Sequence, residues 1–395
     1  MKTMKSWKLM DDAITQEQRE QLAEFCLNSD KFSQGQEVKK FEEQWSKWQG
    51  CKYSVFCNSG SSANFLMVQA AKESWQPHRG TWVSQACTWA TTVSPIMMCG
   101  DNLQLCDVSL PSLGPDKTNL KKIFEDICYS NKWKNGHNCH PKYLFLVHLL
   151  GFPAIDDEIL DICNQYGVTL LEDCCESHGA TYKGKKIGNF GEMSSFSFYY
   201  GLHMTTIEGG MVCTNNKELY EKLLLLRSHG LLRELPEDSK KKYTDMVVDD
   251  NFTFMLPGYN MRSTDFNAVL GQMQLEHLDK HNKIRMQNFE EFATNLDPEK
   301  YHADFTTEGN CSFCFPVICK TQNARELRNI LEKEGVETRP IIAGNLYRHP
   351  FMERINQKRY DTNAEVVHKN GFYIGNNHQV QVEDVAWLTD LLNRS

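Results

Sequence analysis

Tyr143-Leu-Phe-Leu-Val-His-Leu149, then Ile155, Ile159 and Ile162, then Val168-Thr-Leu-Leu-Glu172: this run decides the fold class. The outer pieces are apolar runs of strand length, and the isoleucines between them recur at i, i+4, i+7, as on one face of an amphipathic helix. A strand, a helix and another strand in that order require a crossover, so the strands lie parallel with the helix packed on the sheet. The same alternation extends in both directions, with strand-like runs at 53–57, 82–86, 103–108, 194–198 and 211–214. The expected fold is therefore α/β, a mostly parallel central sheet sandwiched by helices. Ligands of such sheets sit beyond the carboxyl ends of the strands. A helical pattern from Thr264 to Asn282 opens what reads as a second, smaller α+β unit, with a strand at 313–318, a helix at 324–334 and a final helix at 382–392. This predicts a large domain over residues 1–255, including an N-terminal arm, and a C-terminal domain over 256–395. The charged, aperiodic stretch 231–251 reads as a surface excursion.

With 395 residues, 41% of them hydrophobic and 24% charged, the chain has ample material for a large core. The net charge of −8 offers no basic footprint for nucleic acid or an anionic membrane. Residues 1–12 have no apolar core of signal-peptide length, and no run nears the roughly 20 apolar residues of a membrane helix. A cytoplasmic protein is expected. The fifteen cysteines are odd in number and fall mostly in apolar runs, the pattern of reduced, buried thiols. Cys311 and Cys314 have zinc-knuckle spacing without a second pair, and His137, Cys139 and His140 share a polar loop; neither group is read as a metal site.

Four segments that carry chemistry follow predicted strands. Asn58-Ser59-Gly60-Ser61-Ser62-Ala63 places small residues, hydroxyls and free N–H groups at a helix start, which suits a phosphate and equally suits an ordinary cap. Trp89 is a flat aromatic that can stack on a ring or fill a core. Glu172-Asp173 ends a buried strand, where an unpaired carboxylate is costly and where one can hold a protonated ring nitrogen. Ser195-Phe-Ser197-Phe-Tyr-Tyr-Gly-Leu202-His203-Met-Thr-Thr-Ile-Glu208-Gly209-Gly210 is the most distinctive stretch.

Taken in order, these segments resemble the DegT/DnrJ/EryC1/StrS family of sugar-nucleotide aminotransferases and dehydratases, which have the aspartate-aminotransferase-like fold of type I pyridoxal-phosphate enzymes. The likeness runs from Phe32 to Leu392 and includes Gly35-Gln-Glu-Val-Lys-Lys-Phe41-Glu42, His178-Gly179-Ala180 and Gly258-Tyr-Asn260-Met-Arg262. The resemblance implies pyridoxal or pyridoxamine 5′-phosphate as cofactor, a nucleotide-sugar substrate, glutamate as amino donor and a homodimer with shared active sites. It implies that Asp173 pairs with the ring nitrogen and that Trp89 stacks on the ring. Gly60, Ser61, Ser62 and Ser197 would hold the phosphate, with Asn260 added from the neighbouring subunit. Glu176 stands where the family usually has glutamine or another polar residue near the cofactor. His229, Arg339 and Asn345 are candidates for sugar or nucleotide contacts, each with an alternative reading as a structural hydrogen-bonding residue.

One position departs from the pattern. Five residues after Ser197, where the aminotransferases carry their Schiff-base lysine, stands Leu202, which can neither form an imine nor move a proton. The resemblance therefore leans toward the 3-dehydratase branch, which has histidine there and binds its cofactor without a covalent link. In that branch the histidine takes a proton from the cofactor's methylene, the C3 hydroxyl of a 4-keto-6-deoxyhexose leaves, and water releases a 3-deoxy sugar. Three accounts of Leu202 stand side by side: an altered histidine or lysine, a natural enzyme using His203 or another nearby base, or a cofactor-binding protein without turnover. An aminotransferase with a substituted lysine position is the enzymatic alternative. His203, the adjacent candidate base, has its own structural reading as a residue that orients the loop.

Overall fold

The computed structural model describes residues 6–75, 80–135, 142–249, 251–355 and 362–395; His137, Cys139 and His140 lie outside them. In chain order the strands are β1 (Tyr53–Cys57), β2 (Thr81–Gln85), β3 (Asn102–Cys106), β4 (Lys142–Val147), β5 (Val168–Asp173), β6 (Thr181–Tyr182), β7 (Lys185–Lys186), β8 (Met193–Ser197), β9 (Gly210–Thr214), β10 (Cys314–Ile318), β11 (Thr338–Pro340) and β12 (Gly371–Gly375). Seven of them form one sheet in the order β1-β9-β8-β5-β4-β2-β3. All of its strands run parallel except β9, which is antiparallel to both neighbours. The fold is thus the expected α/β architecture, and the seven strand-like runs form with ends shifted by at most two residues.

Residues alternate between two apolar cores, one on each face of the sheet. Tyr143, Phe145 and Val147 of β4 enter one core, and Leu144 and Leu146 enter the other. That alternation follows from the two-residue repeat of a strand, and burial on both faces explains why these strands are apolar throughout. The crossover between β4 and β5 is the helix Asp157–Tyr166, with Ile159 and Ile162 buried. Asp156 caps its start by accepting from the Ile159 N–H, and Gly167, at φ 59°, ends it in the left-handed region. Such short crossovers deliver the ends of β1, β2, β4, β5 and β8 to one edge of the sheet.

The smaller unit is an antiparallel sheet, β10-β12-β11. Its boundary does not follow the division at residue 255. Residues just beyond 255 lie on the large domain: Met261 O accepts from Asn58 N at 3.1 Å, and Arg262 pairs with Cys57 beside β1. The N-terminal arm, assigned above to the large domain, is stitched to the small one. Trp7 N donates to Gly335 O at 2.8 Å, Glu337 N donates to Trp7 O at 2.9 Å, and the Trp7 indole donates to Gly375 O at 2.9 Å. Between the two sheets runs the helix Asp265–Asn295, 31 residues long. The fourteen described cysteines are free; Cys311 and Cys314 are buried. Among the described residues no helix is long and apolar enough to cross a membrane.

Candidate active site

A cavity of about 460 Å3 opens where the strand ends converge. Gly60, Ser61, Trp89, Asp173, Glu176, Ser197, Leu202 and Arg339 all line it, so eight of the residues singled out in the sequence are brought together. They come from four strand ends of the large sheet, those of β1, β2, β5 and β8, and from β11 of the small one.

At one end of the cavity the helix Gly60–Trp75 begins. The N–H groups of its first turn have no partner within the helix, and the turn carries no acid, which makes it an anion site. The Ser61 hydroxyl lies 2.9 Å from the Thr91 hydroxyl, and Ser197 Oγ accepts from Tyr199 N at 3.3 Å. Gly60 is required here: a Cβ would stand 2.5 Å from the Ser197 Cβ. Ser62 does not line the cavity. Its hydroxyl accepts from Ser59 Oγ at 3.1 Å, so it closes the turn.

Asp173 ends β5 and is 4% exposed. Its Oδ2 accepts from Asn64 Nδ2 at 2.8 Å and from Thr92 Oγ1 at 2.8 Å, and its Oδ1 accepts from Cys175 N at 3.1 Å. Asn64 is held in turn by the Ser195 hydroxyl at 2.5 Å. This network fixes a carboxylate at the floor of the cavity. Glu172, next to it on the opposite face, is enclosed by His148 and the N–H groups of Gly188, Phe190 and Gly191. Burial pushes its carboxyl up, but those partners outweigh it and hold it below its ordinary value. Glu172 braces the strand and Asp173 faces the site. The Trp89 ring, 53% exposed, stands at the mouth.

Glu176 is half-buried and its Oε2 accepts from Leu150 N at 2.8 Å. Leu150 holds φ 55°, a region rarely taken by leucine, and this hydrogen bond is one of the contacts on it. Burial lifts the Glu176 carboxyl to about 7; the Leu150 N–H opposes the rise and the Asp173 charge adds to it.

The remaining candidates are elsewhere. His203 is 2% exposed and turned away from the cavity into the body of the protein. Its Nε2 donates to Cys311 O at 2.7 Å, and its Nδ1 lies 3.2 Å from His178 Nδ1. Burial, His178 and Arg285 hold its pKa well below the ordinary value. It ties the loop after β8 to the segment before β10, which is the structural reading. Asn345 is fully buried, capping a short turn through Tyr347 N and donating to Glu365. His229 and Asn260 are exposed on the large domain outside the cavity. Sequence reasoning passed over Asn64, Leu9 and Met10, all of which line the cavity. Asn64 left a signal, a polar residue within the apolar run Phe65-Leu66-Met67-Val68.

An anion cradle, a braced carboxylate and an exposed indole around one cavity fit pyridoxal phosphate: the turn and Ser197 would hold its phosphate, Asp173 its ring nitrogen and Trp89 its ring face. A sheet of this order with that site defines a fold type I pyridoxal-phosphate enzyme. The comparisons agree. A model of the DegT/DnrJ/EryC1/StrS aminotransferase family matches residues 13–392, and the chain belongs to that family. It is 34% identical over 382 residues to the GDP-4-keto-6-deoxy-D-mannose 3-dehydratase of Escherichia coli O55:H7, covering 93% of this chain and 94% of that protein. It superposes on an E. coli GDP-4-keto-6-deoxy-D-mannose-3-dehydratase with bound hydrated pyridoxal phosphate with a TM-score of 0.87, at 31% identity, covering 98% of this chain and 100% of that one. A GDP-4-keto-6-deoxymannose-3-dehydratase holding a trapped glutamate adduct of the cofactor gives a TM-score of 0.85 at 31% identity, with 98% and 99% coverage.

Proposed function

We propose that this chain catalyses the C3 dehydration of a nucleotide-linked 4-keto-6-deoxyhexose, the GDP-linked mannose derivative of its relatives being the first substrate to test. One observation carries the reading. The cavity has a complete set of groups for the cofactor's phosphate and ring, yet among its lining residues there is no lysine, and Leu202 fills the wall where one would stand. A cofactor held without a covalent bond cannot be recovered by internal exchange with a lysine, which suits dehydration better than amino transfer.

Bound pyridoxamine phosphate supplies an amine for the sugar's ketone and an electron-accepting ring. The chain's own residues do the rest. Asp173 keeps the ring nitrogen protonated, and the first turn of the helix Gly60–Trp75 anchors the phosphate. Arg339 on the small domain lines the cavity and would meet the sugar or the nucleotide, whose phosphate charge suits a guanidinium. Glutamate is the proposed amino donor. Exposed Asn260 and partly buried Arg262, near Tyr259 (57% exposed) and Phe254 (61% exposed) in the chain, support a homodimer in which each subunit completes the other's site. The free cysteines and acidic balance suit the cytoplasm.

The test is to load the purified chain with pyridoxamine phosphate and supply GDP-4-keto-6-deoxymannose. Dehydration releases one ammonia for each sugar consumed. An amino sugar as product, or cofactor fixed to the chain by borohydride, would overturn the proposal.

A further inference from the structure

Leu202 and the inward turn of His203 leave the site without the base its chemistry requires, and this question rests on the function proposed above. Of the carboxylates and thiols lining the cavity besides Glu176, Cys175 is pushed well above its ordinary range, Asp173 is committed to three donors, and Glu208 lies in the loop before β9. Glu176 differs from all three. It follows β5 by three residues, so the strand that positions Asp173 positions it too. One of its oxygens is fixed by Leu150 N, and the other accepts no hydrogen bond from the described residues.

We propose that Glu176, which lines the same cavity as Leu202, is the proton-carrying residue of this enzyme, a part Leu202 cannot play. As carboxylate it takes the proton of the cofactor's aminomethyl carbon. The electron pair left by that C–H bond moves toward the sugar as the C3–O bond breaks. The proton then leaves with the departing hydroxyl as water, so the residue returns to its starting state. The groups facing it set its readiness. Asp173 on the same segment raises its affinity for a proton, as burial does. Cys314 and Tyr373 of the small sheet face its charge, and Arg339 lies against Tyr373. With a carboxyl near 7, both protonation states are populated at working pH, the condition for moving a proton in each direction.

Glu176→Gln keeps the size and the Leu150 hydrogen bond and removes only the titration. Three readouts are taken on the full chain: the pH dependence of bound pyridoxal phosphate absorbance, exchange of the aminomethyl protons of pyridoxamine phosphate into D2O with GDP-4-keto-6-deoxymannose present, and steady-state kinetics. The parent should show a spectral inflection near pH 7 that the variant lacks. The variant should lose the exchange and about 10^2-fold or more in kcat, with KM and cofactor affinity changed only a few-fold. An inflection that persists in Glu176→Gln, an unchanged kcat, or a loss confined to cofactor affinity would overturn the proposal. A parent that dehydrates no 4-keto sugar would sink the functional reading instead, and the spectral comparison would still decide whether Glu176 ionises beside the cofactor.

Discussion

At the scale of single residues, Asp173 shows how a buried carboxylate is made available to a ligand. Asn64, Thr92 and Cys175 N–H compensate its burial and fix its orientation. Asp173→Asn should therefore fold but bind pyridoxal phosphate more weakly by roughly tenfold to a hundredfold, the worth of one charge-assisted hydrogen bond of about 1.5–3 kcal/mol; a spectral titration measures it. Leu202 already faces the cavity, so Leu202→Lys should make the cofactor reducible onto the chain, seen as one added cofactor mass after borohydride, while the parent gains none. Placement at the cavity was legible only where a motif fixed direction as well as identity. Asp173, Ser197 and Leu202 lie where the sequence put them. Ser62 lies outside the cavity lining and His203 takes the loop-orienting place that was its other reading, because each sits one residue from a cavity residue, where neighbouring side chains diverge. Asn345, read equally as a substrate contact or a structural hydrogen-bonding residue, caps a turn.

Elements were easier to read. The strands of the large sheet came from apolar runs because burial on both faces leaves little else to encode. The arm gave no such signal: Trp7 is a single aromatic among Lys2, Lys5 and Lys8, and its partners Gly335 and Gly375 lie more than 300 residues away. The turn at Gly60 is the element on which the cofactor depends most. Gly60→Ala would press a methyl against Ser197, and relief of that contact should cost about 1–3 kcal/mol of stability and displace the phosphate cradle. A lowered Tm together with weakened cofactor binding is expected. A variant with parental affinity would show that the turn has room to move.

For the molecule as a whole, acidity is the exposed flank. Burial, with Arg285, holds His178 to about 3; burial and the stacked ring of His378 hold His281 to about 3; burial and Arg285 hold His378 to about 4. All three bind protons more readily when unfolded, near 6.5, than when folded. Their contribution is complete above about pH 6.5 and is lost as pH falls toward 4 and 3. Tm should decline steadily from pH 7 to pH 4.5, and a flat profile would contradict these assignments. The proposed dimer adds a second test: dilution until the chain is monomeric should weaken cofactor binding, as should Asn260→Ala, although Asn260 lies outside its own subunit's cavity.

The stitching of the arm to the small domain bears on how the protein comes apart. Residues near the beginning of the chain hold a sheet built near its end, and the helix Asp265–Asn295 spans both units, so neither can melt while the other stays intact. Calorimetry should show one endotherm whose van't Hoff and calorimetric enthalpies agree, uncommon for two sheets in one chain. Trp7→Ala, which removes a buried indole at about 3–5 kcal/mol, should split that peak in two, with the small domain melting first.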